Sequence, residues 1–329
     1  MRISVYLALV LGVGAMVALI CIEGARSVAA LLTAAGWPLL LLVPLQVLPL
    51  FLDVLGWHVL IGRRVRLRTL FGIAAIRQAI NRLLPVANVG GDLVGIRLLV
   101  HEGVEGPPAT ASVIVELMIA LAAQFFFALV GVTCVLMRSQ DARLLKGLAL
   151  GFGVILAAFV GVLIALRHGQ LFSRIEQVAT RHLGRWLEGW SAVNQGAALD
   201  ARIRDLFGRR GRLVCSFAWQ LAGLAAGSSE TWLALYLLGH PVSIATAIAL
   251  ESLIQVAKSA LFMVPAGVGV QEAGLIGMGH WFGLDADVAL ALSLAKRMRE
   301  ILFGLPALAI WQWIEGRRLA LHRAPPLES

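Results

Sequence analysis

The chain has 329 residues, of which 59% are hydrophobic and 14% are charged. With a mean hydropathy of +0.85, this composition excludes an ordinary soluble enzyme or DNA-binding module and indicates a polytopic membrane protein. The net charge of +9 is interpreted first as a determinant of membrane topology, and no nucleic-acid partner is expected. The three cysteines stand singly, so we predict no disulfide framework, no metal site and no cofactor.

Apolar runs that are long enough to cross a hydrocarbon core of about 30 Å predict roughly six full transmembrane helices. They lie near residues 4–22, 37–61, 109–137, 144–166, 213–238 and 286–314. The first run follows a charged start, as in a signal peptide, but it is long enough to span and we interpret it as a transmembrane helix. The predicted fold class is therefore all-α and polytopic.

Two further apolar stretches, at residues 70–100 and 243–283, do not fit this pattern. The first carries too many polar residues for a lipid-facing helix, and the second is interrupted by the sequence VPAGVG. Each predicts a re-entrant hairpin of two short helices. Proline cannot donate a backbone hydrogen bond, and broken helices are tolerated in a membrane only where they line a cavity. The predicted breaks contain Pro85, Gly90, Gly91, Pro265, Gly267 and Gly269.

Residues 167–212 form a basic segment between the fourth and fifth predicted crossings. Phe172, Ile175, Val178 and Leu183 recur there at about helical spacing. This pattern predicts an amphipathic helix on the cytoplasmic surface, attracted to anionic lipid headgroups. Specific lipid delivery and docking of a partner are the alternatives.

The distribution of basic residues predicts the topology. With both termini in the cytoplasm, seventeen Lys and Arg residues fall on the cytoplasmic side and four on the outside. The first hairpin then enters from the cytoplasm and the second from outside. Asp92 follows Pro85 by seven residues, as Glu272 follows Pro265, which suggests an inverted repeat. We predict a single membrane domain, 1–329, with half-repeats at 1–137 and 138–318 and a tail at 319–329.

Many ionisable residues fall inside the apolar stretches, where facing hydrocarbon would be costly. Structural pairing is the simplest explanation, and a polar cavity near the two breaks is the functional one. Asp92 and Glu272 could cap helices or act in gating or proton coupling. The predicted headgroup-binding residues are Arg82, Asp92, Arg97, Lys258, Glu272, Arg297 and Arg299, and the other acids at membrane depth are Asp53, Glu116, Glu230, Glu251 and Glu300.

Three segments carry a resemblance to a known family: INRLLPVANVGGDLVGIRLL, ESLIQVAKSALFMVPAGVGVQEAGL and LSLAKRMREILFGLPALAIWQWIEG. Across roughly residues 40–318 the chain resembles the flippase-like family named after the transmembrane region of lysylphosphatidylglycerol synthases, and especially its stand-alone members associated with hopanoid biosynthesis. The resemblance implies a multi-pass bacterial inner-membrane protein that moves lipids between leaflets. The family's hairpin motif maps onto Pro265, Gly267, Gly269 and Glu272, with Ala266 in place of a frequent glycine.

The predicted function is that of a lipid translocase and not of an enzyme, with membrane lipids as its partners. No motif for ATP hydrolysis is present, so transport would be downhill or coupled to an ion. The alternatives are a non-transporting accessory protein that docks enzymes of lipid biosynthesis, and an intramembrane transferase that uses the same acidic residues. The aminoacyl-transfer domain of the large synthases is not expected here.

Overall fold

The computed structural model describes residues 30, 32–62, 65–84, 90–138, 196–260 and 270–323, with a few isolated positions between 153 and 164. Throughout this part of the chain the regular elements are helices. They are α1 (Val47–Ile61), α2 (Leu67–Leu83), α3 (Gly90–His101), α4 (Gly106–Arg138), α5 (Gly196–Gly208), α6 (Arg210–Leu237), α7 (Ile244–Ala260), α8 (Val270–Gly279) and α9 (Ala286–Arg323). A 3-10 turn (Trp37–Leu41) and a short helix (Leu42–Leu45) lead into α1, and another 3-10 turn (His280–Phe282) follows α8.

Two of these helical segments, Trp37–Ile61 and Gly106–Cys134, are long and apolar enough to cross a membrane. Only 39% of the most apolar window of each is buried inside the protein, so most of its apolar surface needs a non-aqueous surrounding. The helices α6 and α9 have 28 and 38 residues and coincide with two further predicted crossings. The predicted crossings near 4–22 and 144–166 lie wholly or largely outside the described residues.

The helices α2 and α3 pack against each other as an antiparallel pair. Arg77 lies beside Gly95, and Asn81 lies beside Gly91. The later residue of α2 therefore contacts the earlier residue of α3, as in two antiparallel helices. The helices α7 and α8 also pack together. The connections between the two pairs' helices, residues 85–89 and 261–269, contain the predicted breaks at Pro85, Pro265, Gly267 and Gly269 and lie outside the described residues.

The two helix pairs open toward opposite ends of the bundle. Ile61 at the end of α1 and Val104 before α4 share one apolar cluster, which places both ends of the α2–α3 pair at one end. Leu238 after α6 and Leu284 before α9 share another cluster with Leu39, near the start of the Trp37–Ile61 segment. Both ends of the α7–α8 pair therefore lie at the opposite end of the bundle. Opposed entry is what the charge distribution predicts, and the re-entrant placement of the pairs in a bilayer stays a prediction.

The two halves exchange helix contacts in the same way. The helix α4 packs against α7, and α9 packs against α2, while α1 and α6 pack against each other. Glycines permit the close approach, because a Cβ at Gly131 would clash with Ser252 and one at Gly304 would clash with Leu83. The two-fold repeat and its boundaries stay predictions.

The end of the predicted basic segment forms α5. Ile203 is 1% exposed and packs on Leu60 and Val115, so the helix lies against the bundle. The helix is interrupted at Arg209, and α6 then begins at Arg210, three residues before the predicted start of the crossing. The rest of the segment, residues 167–195, lies outside the described residues.

Candidate functional site

Arg77 on α2 is held between two carboxylates inside the bundle. Its Nη2 atom lies 2.6 Å from Asp92 Oδ1 and 2.9 Å from Glu116 Oε2. The guanidinium carbon lies 4.4 Å from the ring centroid of Trp57, a cation-π contact. Gln220 on α6 donates to Glu116 Oε1 at 3.2 Å. Five side chains from five helices therefore form one cluster, here called the Arg77 network, with Arg77 at its centre.

Two glycines allow this arrangement. A Cβ at Gly95 would lie 2.5 Å from Arg77 Cδ, and one at Gly91 would clash with the Arg77 carbonyl oxygen. The backbone N–H of Gly91 donates to Asn81 Oδ1 at 2.8 Å. The first turn of α3 thus has a side-chain partner other than Asp92, whose carboxylate pairs with Arg77 instead of acting as the cap.

A cavity of about 210 Å³, here called the inner cavity, borders the Arg77 network. Asp53, Arg77, Asn81, Asp92 and Glu116 contribute its polar lining. Asp53 makes no hydrogen bond or ion pair with another described residue, and the charges that act on its carboxyl group are those of Glu116, Arg77 and Arg82. Three carboxylates thus surround the cavity with one guanidinium, and the lining has more acidic groups than cations.

A second set of ion pairs extends along α9. Lys296 Nζ lies 2.5 Å from Glu251 Oε2, which also accepts a hydrogen bond from Thr231 Oγ1 at 2.6 Å. Arg299 Nε lies 2.9 Å from Glu230 Oε1. All four ion-pair partners are less than 9% exposed, so each cation is neutralised where water is scarce.

Glu272 in the first turn of α8 belongs to the same set. Its Oε1 atom accepts a hydrogen bond from Ser293 Oγ at 3.0 Å and lies 3.5 Å from Arg297 Nε. Gln271 donates to the Ser293 hydroxyl at 2.9 Å. Arg297 Nη1 also lies 3.2 Å from Glu300 Oε2, so Arg297 links the α8 carboxylate to the next acid along α9.

Two contacts join this set to the first half of the chain. Arg82 Nη1 lies 2.5 Å from Glu300 Oε1, and Arg299 Nη1 donates to Gln46 Oε1 at 2.7 Å. The whole set, here called the α9 network, balances its charge. Its ionisable members are Arg82, Glu230, Glu251, Glu272, Lys296, Arg297, Arg299 and Glu300.

The remaining predicted site residues lie elsewhere. Arg97 has a side chain 63% exposed and pairs with Glu315 at 2.6 Å, apart from both networks. Gly90 is the first residue of α3. Lys258 lies on α7, but its side chain is outside the described part. Among the described residues no group of three His, Cys, Asp or Glu side chains could hold a metal ion.

Sequence reasoning did not single out the neutral partners of these networks. Gln46, Gln220, Thr231 and Ser293 each hydrogen-bond an ionised group at the centre of the bundle. Arg77 is one of the polar residues that interrupt the apolar stretch at 70–100, but the sequence does not indicate that it is the centre of a network. The available signal was an amide or hydroxyl within an apolar run, because such groups need partners at membrane depth.

The family model of the lysylphosphatidylglycerol synthase transmembrane region matches residues 5–307, which include every residue of both networks. The chain belongs to this family. Neither a curated protein nor a solved structure matches the chain. Family membership confirms the resemblance inferred from the hairpin motifs and makes this a membrane protein associated with lipid biosynthesis or translocation. The narrower relation to hopanoid-associated members stays a prediction.

Proposed function

We propose that the protein is a lipid translocase that moves a polar or anionic headgroup between the leaflets of the bacterial inner membrane. The observation that carries the proposal is the inner cavity beside the Arg77 network, which is lined in part by the two long apolar segments Trp37–Ile61 and Gly106–Cys134. An ionised group facing hydrocarbon costs several kcal/mol. A polar cavity inside such a bundle offers a path on which a headgroup keeps polar partners while its tails stay in lipid.

The pairing of the cations defines how a headgroup would enter. Arg82, Arg297 and Arg299 each have a carboxylate partner, as does Arg77. An anionic headgroup would therefore replace a carboxylate at a guanidinium, which keeps the cation neutralised throughout. The free-energy cost of this exchange is small, because one charge-assisted hydrogen bond to the guanidinium replaces another.

The excess of acid around the inner cavity favours a role for this region beyond structural pairing. A purely structural network gains from equal numbers of opposite charges, as in the α9 network. Asp53, Asp92 and Glu116 line the inner cavity together with one cation, Arg77. Asp53 makes no ion pair with a described residue, and its carboxyl can bind hydroxyl or amine groups of a headgroup, or a proton that couples transport to an ion gradient.

The alternation of access would come from the two helix pairs. They open toward opposite ends of the bundle, so movement of one pair at a time would connect the interior to one end at a time. In the proposed orientation both termini are cytoplasmic, and the α2–α3 pair opens to the cytoplasm.

The test is a scrambling assay with the purified full chain in liposomes that contain phosphatidylglycerol labelled with a fluorophore on its headgroup. A membrane-impermeant reductant bleaches only label in the outer leaflet. Protein-containing liposomes should lose nearly all of their fluorescence, and protein-free liposomes only the outer-leaflet share. The assay is repeated with labelled phosphatidylethanolamine. If protein-containing and protein-free liposomes give the same fluorescence traces with both lipids, the accessory role is favoured instead.

A further inference from the structure

A second cavity lies at the end of the bundle where α1 ends, and we call it the basic pocket. Its volume is about 210 Å³, and the end of α1, the start of α4, α5 and the start of α6 form its wall. Its polar lining includes Ser112, Arg202, Asp205, Arg209 and Arg212. None of these ionisable residues belongs to the Arg77 network or the α9 network.

Two arginines of the basic pocket have no counter-ion among the residues that the structure describes. Arg209 pairs with Asp205, with Nη2 lying 2.9 Å from Oδ2 and 3.2 Å from Oδ1. Both carboxylate oxygens of the one acid are thus engaged by a single guanidinium. Arg202 and Arg212 make no hydrogen bond or ion pair with any residue that the structure describes. The described lining of the pocket, with three arginines and one aspartate, therefore has a net charge of plus two.

The start of α6 adds to this positive potential. The helix has no side-chain cap and no acidic residue in its first turn. Cations at a helix N-terminus are unfavourable unless an anion is near, because the N-terminal end of the helix dipole is itself positive. Arg212 also approaches the end of α1 closely, where Gly62 adopts a φ of +76°, and its Nη1 atom would lie 3.3 Å from a Cβ there.

The position of the pocket identifies the class of anion. Trp37–Ile61 has 25 residues, more than the roughly 20 that a crossing needs, and its last residue lines the pocket. The pocket therefore lies at the level where an apolar span gives way to headgroups. A ligand cavity for a drug-sized molecule usually exceeds about 300 Å³, so this one suits a headgroup whose tails remain outside. We propose that the basic pocket binds the phosphate of an anionic lipid headgroup.

The side chain of Trp57 lies between the basic pocket and the inner cavity. Ser112 lines the basic pocket and accepts a hydrogen bond from Trp57 Nε1 at 3.3 Å. The same indole carries the Arg77 guanidinium on its ring and lines the inner cavity. A lipid bound at Arg202 and Arg212 thus occupies an entrance to the proposed path. The binding itself does not require that transport occur.

The test measures the melting temperature of the full chain in detergent micelles against increasing dioleoylphosphatidylglycerol. The variant Arg202→Gln/Arg212→Gln should bind this lipid about a hundredfold more weakly, because each lost guanidinium removes a charge-assisted contact of about tenfold. The matched control is Arg204→Gln/Arg210→Gln, which removes the same charge from the same two helices outside the pocket. It should bind within about threefold of the wild type.

A third variant keeps the proposal testable if the double substitution does not fold. Asp205→Asn removes the one acid among the described residues that line the pocket and should tighten binding about fivefold, because Arg209 becomes available. Equal weakening in the control pair, or unchanged affinity in Asp205→Asn, would overturn the proposal. Inorganic phosphate that stabilises the protein as strongly as the lipid would overturn the lipid assignment. Transport plays no part in these measurements, so failure of the translocase proposal would be seen separately.

Discussion

The Arg82 guanidinium on α2 donates to the Glu300 carboxylate on α9 at 2.5 Å, across 218 residues of chain. Glu300 also lies 3.2 Å from Arg297 and 4.0 Å from Arg299. The Glu300 side chain is 2% exposed. One buried carboxylate thus faces three cations from two helices and links the second half of the chain to the first.

This arrangement makes the two partners unequal. Glu300→Gln should lower the free energy of unfolding by about 3–5 kcal/mol, because it removes the carboxylate that pairs with Arg82 and one of the two carboxylates beside Arg297. Arg82→Gln should cost less, about 1–3 kcal/mol, because Glu300 keeps Arg297 as a partner. Thermal or denaturant melting in detergent checks the difference, and equal losses for the two variants would show that Arg82 is the main counter-ion.

Both removal of the Arg77 guanidinium and its replacement by an ammonium group should destabilise the protein. Arg77→Gln leaves Asp92 and Glu116 without their cation and should cost about 3–5 kcal/mol. Arg77→Lys keeps the charge, but an ammonium cannot bridge both acids and lie flat on Trp57, so an intermediate loss is expected. Arg97→Gln, which breaks an exposed pair, is the control and should cost no more than about 1 kcal/mol. If Arg77→Gln cost as little stability as the control Arg97→Gln, the result would contradict the proposed network.

Gly91 on α3 and Gly72 on α2 form a matched pair of substitutions. Gly91→Ala should destabilise the protein and lower transport, because its Cβ would force α3 away from the Arg77 backbone. Gly72→Ala meets no atom within 4 Å and should stabilise α2 by roughly 0.5–1 kcal/mol. Melting temperatures and scrambling rates of both variants are compared. Equal behaviour of the two would mean that the close approach of α2 and α3 is not required.

Much of the helical framework could be predicted from the sequence, because long apolar runs fix where helices can lie. The described helices include Trp37–Ile61 and Gly106–Arg138, close to two predicted crossings. The pairing could not be predicted. Arg97 sits in an apolar run like Arg82, yet one faces outward to Glu315 and the other inward to Glu300. Helix rotation and distant neighbours decide such pairs, and spacing along the chain contains neither.

The topology can be tested with single cysteines in a background without Cys21, Cys134 and Cys215. Asp141→Cys should react with a membrane-impermeant maleimide added to intact cells, because its loop is predicted to face outward. Ala201→Cys on the exposed side of α5 should react only after the cells are opened. Labelling of Ala201→Cys in intact cells would contradict the cytoplasmic placement of α5 and the opposed hairpins.

The most direct test of a headgroup path through the inner cavity uses Asp53, since this side chain borders the cavity without an ion-pair partner among the described residues. Asp53→Asn keeps the shape and breaks no ion pair, so its melting temperature should stay close to that of the wild type. Its scrambling rate in liposomes should fall about tenfold or more, which corresponds to about 1.4 kcal/mol in the barrier. Wild-type scrambling by a fully folded Asp53→Asn protein would contradict transport through this cavity.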